Sequence, residues 1–357
     1  MGEITVLIKN VAILFIMLIP GIILKKCKLC PDGFGKGISN FVLYIAQPVL
    51  IVYAYLECEK PFGEIWLNIL LTFVISLAIH GIFCAVALPA FMRAPEARGR
   101  MLKFATIFSN AAFMGIPLIR ACMNAEAAIY ASIYNISFNL FLWTLGVFIC
   151  KHEKGADMDG DGDSDIKDAL MSLHHHAKKE NAVLKLLLHP VTLASVLGII
   201  ILVSGINTHL TSSGGSLALA NRAAPEFAKT VVSVITDSLS MLKALVAPLA
   251  MVVIGLRVPD ISFKGFFKDV YMYIFIALRH FVLPFAVLGA VKLLTLMGVP
   301  LNDEVSKVIV ILAAAPAASS ATMFAEKYDC DAAYVSRLVL VSTLLSIGTM
   351  PLVLLLV

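Results

Sequence analysis

Two stretches, Ser109-Asn110-Ala111-Ala112-Phe113-Met114-Gly115-Ile116-Pro117-Leu118 and Ala313-Ala314-Ala315-Pro316-Ala317-Ala318-Ser319-Ser320-Ala321-Thr322-Met323-Phe324, each set a proline inside a long apolar segment. Proline removes a backbone donor and clashes with the turn before it, so a helix is expected to break there. In hydrocarbon the freed groups must be satisfied by protein or by a water-filled cavity. The prolines occupy matching places, since Pro48 to Pro117 is 69 positions and Pro248 to Pro316 is 68. Interrupted spans at corresponding positions of two halves mark the solute site of secondary transporters. A transporter is therefore the expectation.

The composition agrees with that class. Of 357 residues, 60% are hydrophobic and 15% charged, which is the balance of a polytopic membrane protein. Apolar windows fall at 4–24, 38–56, 66–92, 104–123, 128–150, 186–204, 230–256, 270–296, 306–325 and 334–356, giving ten expected spans. Strand-period alternation is absent, so an all-α protein is expected rather than a barrel. The first window is kept as a span because its basic cluster follows it, unlike that of a signal peptide.

Lys and Arg set the expected orientation. The connections after spans 1, 3, 5, 7 and 9 hold 19 of them and the opposite connections hold seven. The first side is therefore placed in the cytoplasm of a plasma or inner membrane, with both termini outside. The net charge of +4 is a topology signal, and no nucleic-acid partner is expected.

The polar stretch 151–185 divides the chain into a first five-span repeat (1–150) and a second (186–357). Five is odd, so the second half enters the membrane inverted. Ala46-Gln47-Pro48-Val49-Leu50 echoes Val246-Ala247-Pro248-Leu249, and Glu126-Ala-Ala-Ile-Tyr130 echoes Asp331-Ala-Ala-Tyr334. The connection Ile206–Lys229, rich in Ser, Gly and Ala, reads as a flexible loop with a short interfacial helix.

Four stretches carry a more specific likeness: Pro20–Lys26, Asn40–Leu50, Ser109–Leu118, and Ala313–Ala325 together with Val341–Pro351. On these the chain resembles the auxin efflux carrier family, whose bacterial members include malate and malonate permeases. The resemblance implies a fold shared with bile-acid symporters and sodium–proton antiporters, in which broken helices 4 and 9 cross near the bilayer centre. It also implies a scaffold of spans 1, 2, 6 and 7 and an elevator-like transport domain of spans 3–5 and 8–10. A homodimer through spans 2 and 7 follows by the same analogy. The short central loop favours the bacterial branch.

The expected substrate is a small organic anion, mono- or dicarboxylate. Half-helices after a break present unpaired N–H groups and a positive dipole end, which attract a carboxylate without a basic side chain. Candidate contacts are Asn110, Gly115 and Pro117 in span 4, and Pro316, Ser319 and Ser320 in span 9. Gln47 in span 2 and Asn139 in span 5, four residues after Asn135, are added as polar groups able to face the crossing. Arg279 and His280 lie within span 8 and Lys243 within span 7, where ionisable groups are costly. Arg279 is a candidate for anion binding or gating.

In the central loop, Asp157, Asp159, Asp161, Gly162 and Asp163 follow a calcium-loop pattern, but Asp168 stands where a bidentate Glu is needed. Cys27-Lys-Leu-Cys30 lacks the second pair that a zinc site requires. No cofactor is expected. Sodium or proton coupling and a ligand sensor on the same fold are alternative readings. An enzyme is not expected, because Gly-Asp-Gly-Asp lies only in the polar loop and His-Glu-x-x-His is absent.

Overall fold

The computed structural model describes residue 9, residues 12–31, 33–151, 184, 187–213, 216–219, 225–260, 268–328 and 330–356. The helices, in chain order, are α1 (Leu18–Lys26), α2 (Phe34–Leu56), α3 (Phe62–Ala90), α4 (Glu96–Ile107), α5 (Ala111–Cys122), α6 (Ala125–Cys150), α7 (Pro190–Ser204), α8 (Glu226–Arg257), α9 (Val270–Leu296), α10 (Asp303–Ala314), α11 (Ser320–Lys327) and α12 (Ala332–Leu354). Among the described residues, α2, α3, α6, α8, α9 and α12 are long and apolar enough to cross a membrane. Many of their outward residues, such as Leu70 and Val74 on α3 and Val234 and Ile235 on α8, are apolar and exposed. Bare apolar faces of this kind suit lipid rather than water.

Local chemistry fixes the helix ends. Asn124, Asn302 and Asp331 each accept a backbone N–H three residues on, at 2.9, 2.7 and 2.9 Å, and so start α6, α10 and α12. Asp269 caps α9 through the Tyr271 N–H at 2.9 Å. α7 opens on Pro190 and stops at Gly205, whose φ of +71° a side chain would disfavour.

Widened π-turns occupy Val42–Ala46, Ala111–Gly115 and Leu278–Val282, just before Pro48, Pro117 and Pro284. The proline ring cannot sit against the carbonyl four residues back, and opening the turn to five relieves that clash. A fourth π-turn, Leu142–Gly146, has no such proline.

α1 packs on the second half of α8, and α2 packs on α7 and α8. α3 to α6 pack with one another, and α10 packs on α6, α9 and α12. At the α1–α8 crossing Gly21 and Gly255 lie face to face, and a Cβ on either would overlap the other helix's backbone.

Two details differ from the sequence expectation. The segment read as a loop with an interfacial helix contains a 3₁₀ turn, Ile206–His209, and an antiparallel hairpin of β1 (Leu210–Ser213) and β2 (Ser216–Leu219). The hairpin is anchored to α8 where Thr236 Oγ1 donates to Leu217 O at 2.8 Å. The second difference is the place of the first break. Helix stops at Ile107 and resumes at Ala111, so Pro117 lies inside α5, whereas Pro316 lies within the break between α10 and α11. Pro117 and Pro316 are therefore not structural equivalents, despite their spacing.

Candidate functional site

Four helix ends meet where α4–α5 crosses α10–α11. Both connecting segments are extended and buried, so their backbone groups need partners. They find them in each other. Ser109 and Ala317 form an antiparallel bridge, with Asn110 N–H donating to Pro316 O at 2.7 Å and Ala318 N–H to Phe108 O at 2.8 Å.

The C-terminal ends of α4 and α10 leave carbonyls and a negative dipole pole in the interior. Arg279, fully buried in the π-turn of α9, compensates both. Its Nη1 donates to Thr106 O at 3.2 Å, its Nε to Ala315 O at 3.1 Å, and its Nη2 to Ala313 O at 3.1 Å and again to Ala315 O. Next to it, His280 bonds Thr349 Oγ1 at 3.0 Å and Ser342 Oγ at 2.9 Å. Ser342 Oγ accepts the Ala317 N–H at 2.9 Å, so α12 also holds the second break in place.

The N-terminal ends of α5 and α11 are different. Asn110 and Ser319 occupy their cap positions, yet neither side chain bonds its own helix. Ser319 Oγ donates instead to Asn110 Oδ1 at 3.4 Å, and the buried Asn110 Nδ2 has no hydrogen-bond partner. Ser320 is half-buried at the start of α11. With the carbonyl ends taken by Arg279, the uncompensated pole at the crossing is positive.

Gln47 repairs the damage done by Pro117. In the π-turn the Ile116 N–H reaches Ala111 O, so the next bond in series would run from residue 117 to Ala112 O. Pro117 has no N–H to give, and Gln47 Nε2 donates to Ala112 O at 3.0 Å in its stead. Replacing Gln47 with Leu strands that buried carbonyl. We expect a loss of about 1–3 kcal/mol, read as a lower unfolding temperature of the protein in detergent. Gly115 faces α10, where a Cβ would strike Leu312. Asn139 and Asn135 are buried on α6, with Asn139 Nδ2 and Asn135 Oδ1 unpartnered. No hydrogen bond among the described residues joins Asn139 to the crossing. The calcium-loop candidates Asp157, Asp159, Asp161, Asp163 and Asp168 lie outside the described residues. Among those described, no cluster of His, Cys, Asp and Glu could hold a metal ion.

Several residues of the site escape a sequence reading. Ser342 is one serine in an apolar helix. Lys243, which the sequence places within span 7, forms an ion pair with Glu57 at 2.9 Å, and Arg120 meets the same carboxylate at 2.5 Å. The Lys243 ammonium also stands 3.5 Å from the Tyr53 ring centroid. Glu57, at the end of α2, thus ties Arg120 of α5 to Lys243 of α8, the latter 186 positions from Glu57 in sequence, a separation no local pattern reveals.

The sequence matches a family model described as membrane transport protein over residues 6–354, nearly the whole chain. No curated protein matches it.

Proposed function

The chain belongs to the auxin efflux carrier family of membrane transport proteins, and on that footing we propose that it carries small organic anions of the malate or malonate kind, bound at the helix crossing. The observation that carries the reading is the state of the two helix N-termini. Asn110 and Ser319 face each other instead of capping their helices, and the Asn110 amide keeps a buried donor unspent. A carboxylate satisfies both that donor and the helix dipoles. Arg279 acts here as a positioning residue. It holds the carbonyl ends so that the opposite ends are left for the ligand.

The ten spans of this reading form two inverted five-helix repeats. In each, a helix, a break, a short helix and a long helix follow in order: α4, α5, α6 and then α10, α11, α12. The antiparallel Ser109–Ala317 bridge is the pairing that an in-plane pseudo-two-fold would produce. The packing of α1, α2, α7 and α8 together supports a scaffold distinct from the helices around the crossing. Transport then proceeds as an elevator, with the crossing carried past that scaffold. The 151–185 loop is placed in the cytoplasm.

Reconstituted protein tests this through uptake of labelled malate, malonate and an indole acid, with and without a sodium gradient. Saturable flux of one of these acids is expected, and its response to sodium reports the coupling. Protein that is folded, reconstituted and moves none of them would overturn the organic-anion assignment.

A further inference from the structure

We infer that Arg257 is a specificity-determining residue that makes the substrate a dicarboxylate, binding the carboxylate not held at the crossing. This rests on the organic-anion reading above. Arg257 ends α8, and its half-buried side chain reaches the start of α11. Its Nη1 donates to Ser319 O at 3.4 Å, a long bond that spends little of the guanidinium's capacity. Among the described residues no carboxylate lies within 4.0 Å of it, and Glu326, exposed on α11, is the acidic group that acts on it through space.

A cavity of about 20 Å³ opens beside the guanidinium, lined by Ser319, Thr322 and Ser336 with apolar residues of α8 and α12. It takes one water-sized group, the scale of a carboxylate oxygen rather than of a whole diacid. Thr322 is 5% exposed, and its hydroxyl pairs at 3.3 Å with that of Ser336, whose own proton goes to Ala332 O at 2.8 Å. The half-used guanidinium therefore borders one small space together with Ser319, Thr322 and Ser336. Guanidinium and carboxylate form strong charge-assisted bonds.

Ser319 joins this space to the crossing. Its carbonyl touches Arg257, and its hydroxyl touches Asn110. Two acceptor-seeking groups, the Arg257 guanidinium and the Asn110 amide, thus flank one residue. A monocarboxylate fills the crossing and leaves Arg257 unused.

The test is equilibrium binding of malonate and its half-amide to purified full-length protein in detergent or nanodiscs. Wild type is expected to favour malonate by about tenfold or more, the scale of one charge-assisted bond. Arg257→Gln is expected to erase that preference while leaving half-amide affinity near the wild-type value. Arg257→Lys should keep part of it, because the charge remains without the fork. A merely structural arginine would weaken both ligands together. A preference retained in Arg257→Gln, or no preference in wild type that binds both ligands, overturns the inference and leaves the carrier reading intact. Wild type that binds neither compound, nor malate, overturns both.

Discussion

Arg279→Ala is expected to remove most folded protein. The guanidinium is 0% exposed, and its bonds to Thr106, Ala313 and Ala315 carbonyls tie together the C-terminal ends of α4 and α10. Truncation leaves several buried carbonyls without donors, in a place where each stranded polar group is costly. Removing one member of a buried charged arrangement typically costs about 3–5 kcal/mol, a large part of an ordinary stability margin. Arg279→Lys is expected to recover only part of the loss. An ammonium is a compact charge, whereas the planar fork spans carbonyls from two helices at once. Size-exclusion profiles and thermal unfolding of detergent-solubilised variants measure the order: wild type, then Lys, then Ala. An alanine variant as stable as wild type would show that the helix ends do not depend on this charge.

Gly255→Ala is expected to give the second large effect. Small residues let membrane helices approach closely, and that approach supplies much of their attraction. Here the added Cβ would overlap Leu18 O, and the matching position on α1, Gly21, is equally closed by Val252 O. Backbone cannot rotate aside as a side chain can, so the helices must separate. Overpacking costs about 1–3 kcal/mol in ordinary cores, and a backbone clash belongs at the upper end. Gly289→Ala on α9, where a Cβ meets nothing, is the control and should leave the unfolding temperature unchanged.

The sequence announced the crossing but misplaced its first break. Prolines in apolar spans are visible because proline chemistry is local. The break at Phe108–Asn110 contains neither proline nor glycine; the facing segment of the second half and the Arg279 guanidinium hold it open. Such a break is a tertiary event, which local propensity does not encode. Pro117 leaves a different trace, a π-turn whose free carbonyl is met by Gln47 from another span.

Arg257 was hidden for the opposite reason. An arginine at the end of an apolar span reads as a topology signal, and only its proximity to Ser319 gives it chemistry. The hairpin has a local signal in the sequence. Gly214-Gly215 between Leu210–Ser213 and Ser216–Leu219 is a two-residue turn signal. Composition alone marks the stretch as loop.

The most direct test of the crossing as the transport site is uptake by Asn110→Ala in proteoliposomes, using whichever acid wild type carries and matched amounts of folded protein. Within the protein the Asn110 side chain gives up only the long 3.4 Å bond that its Oδ1 accepts from Ser319, its Nδ2 having no partner, so stability should change little while kcat/KM falls about tenfold or more, the worth of a hydrogen bond to a charged group. Uptake equal to wild type would take the crossing out of the substrate's path.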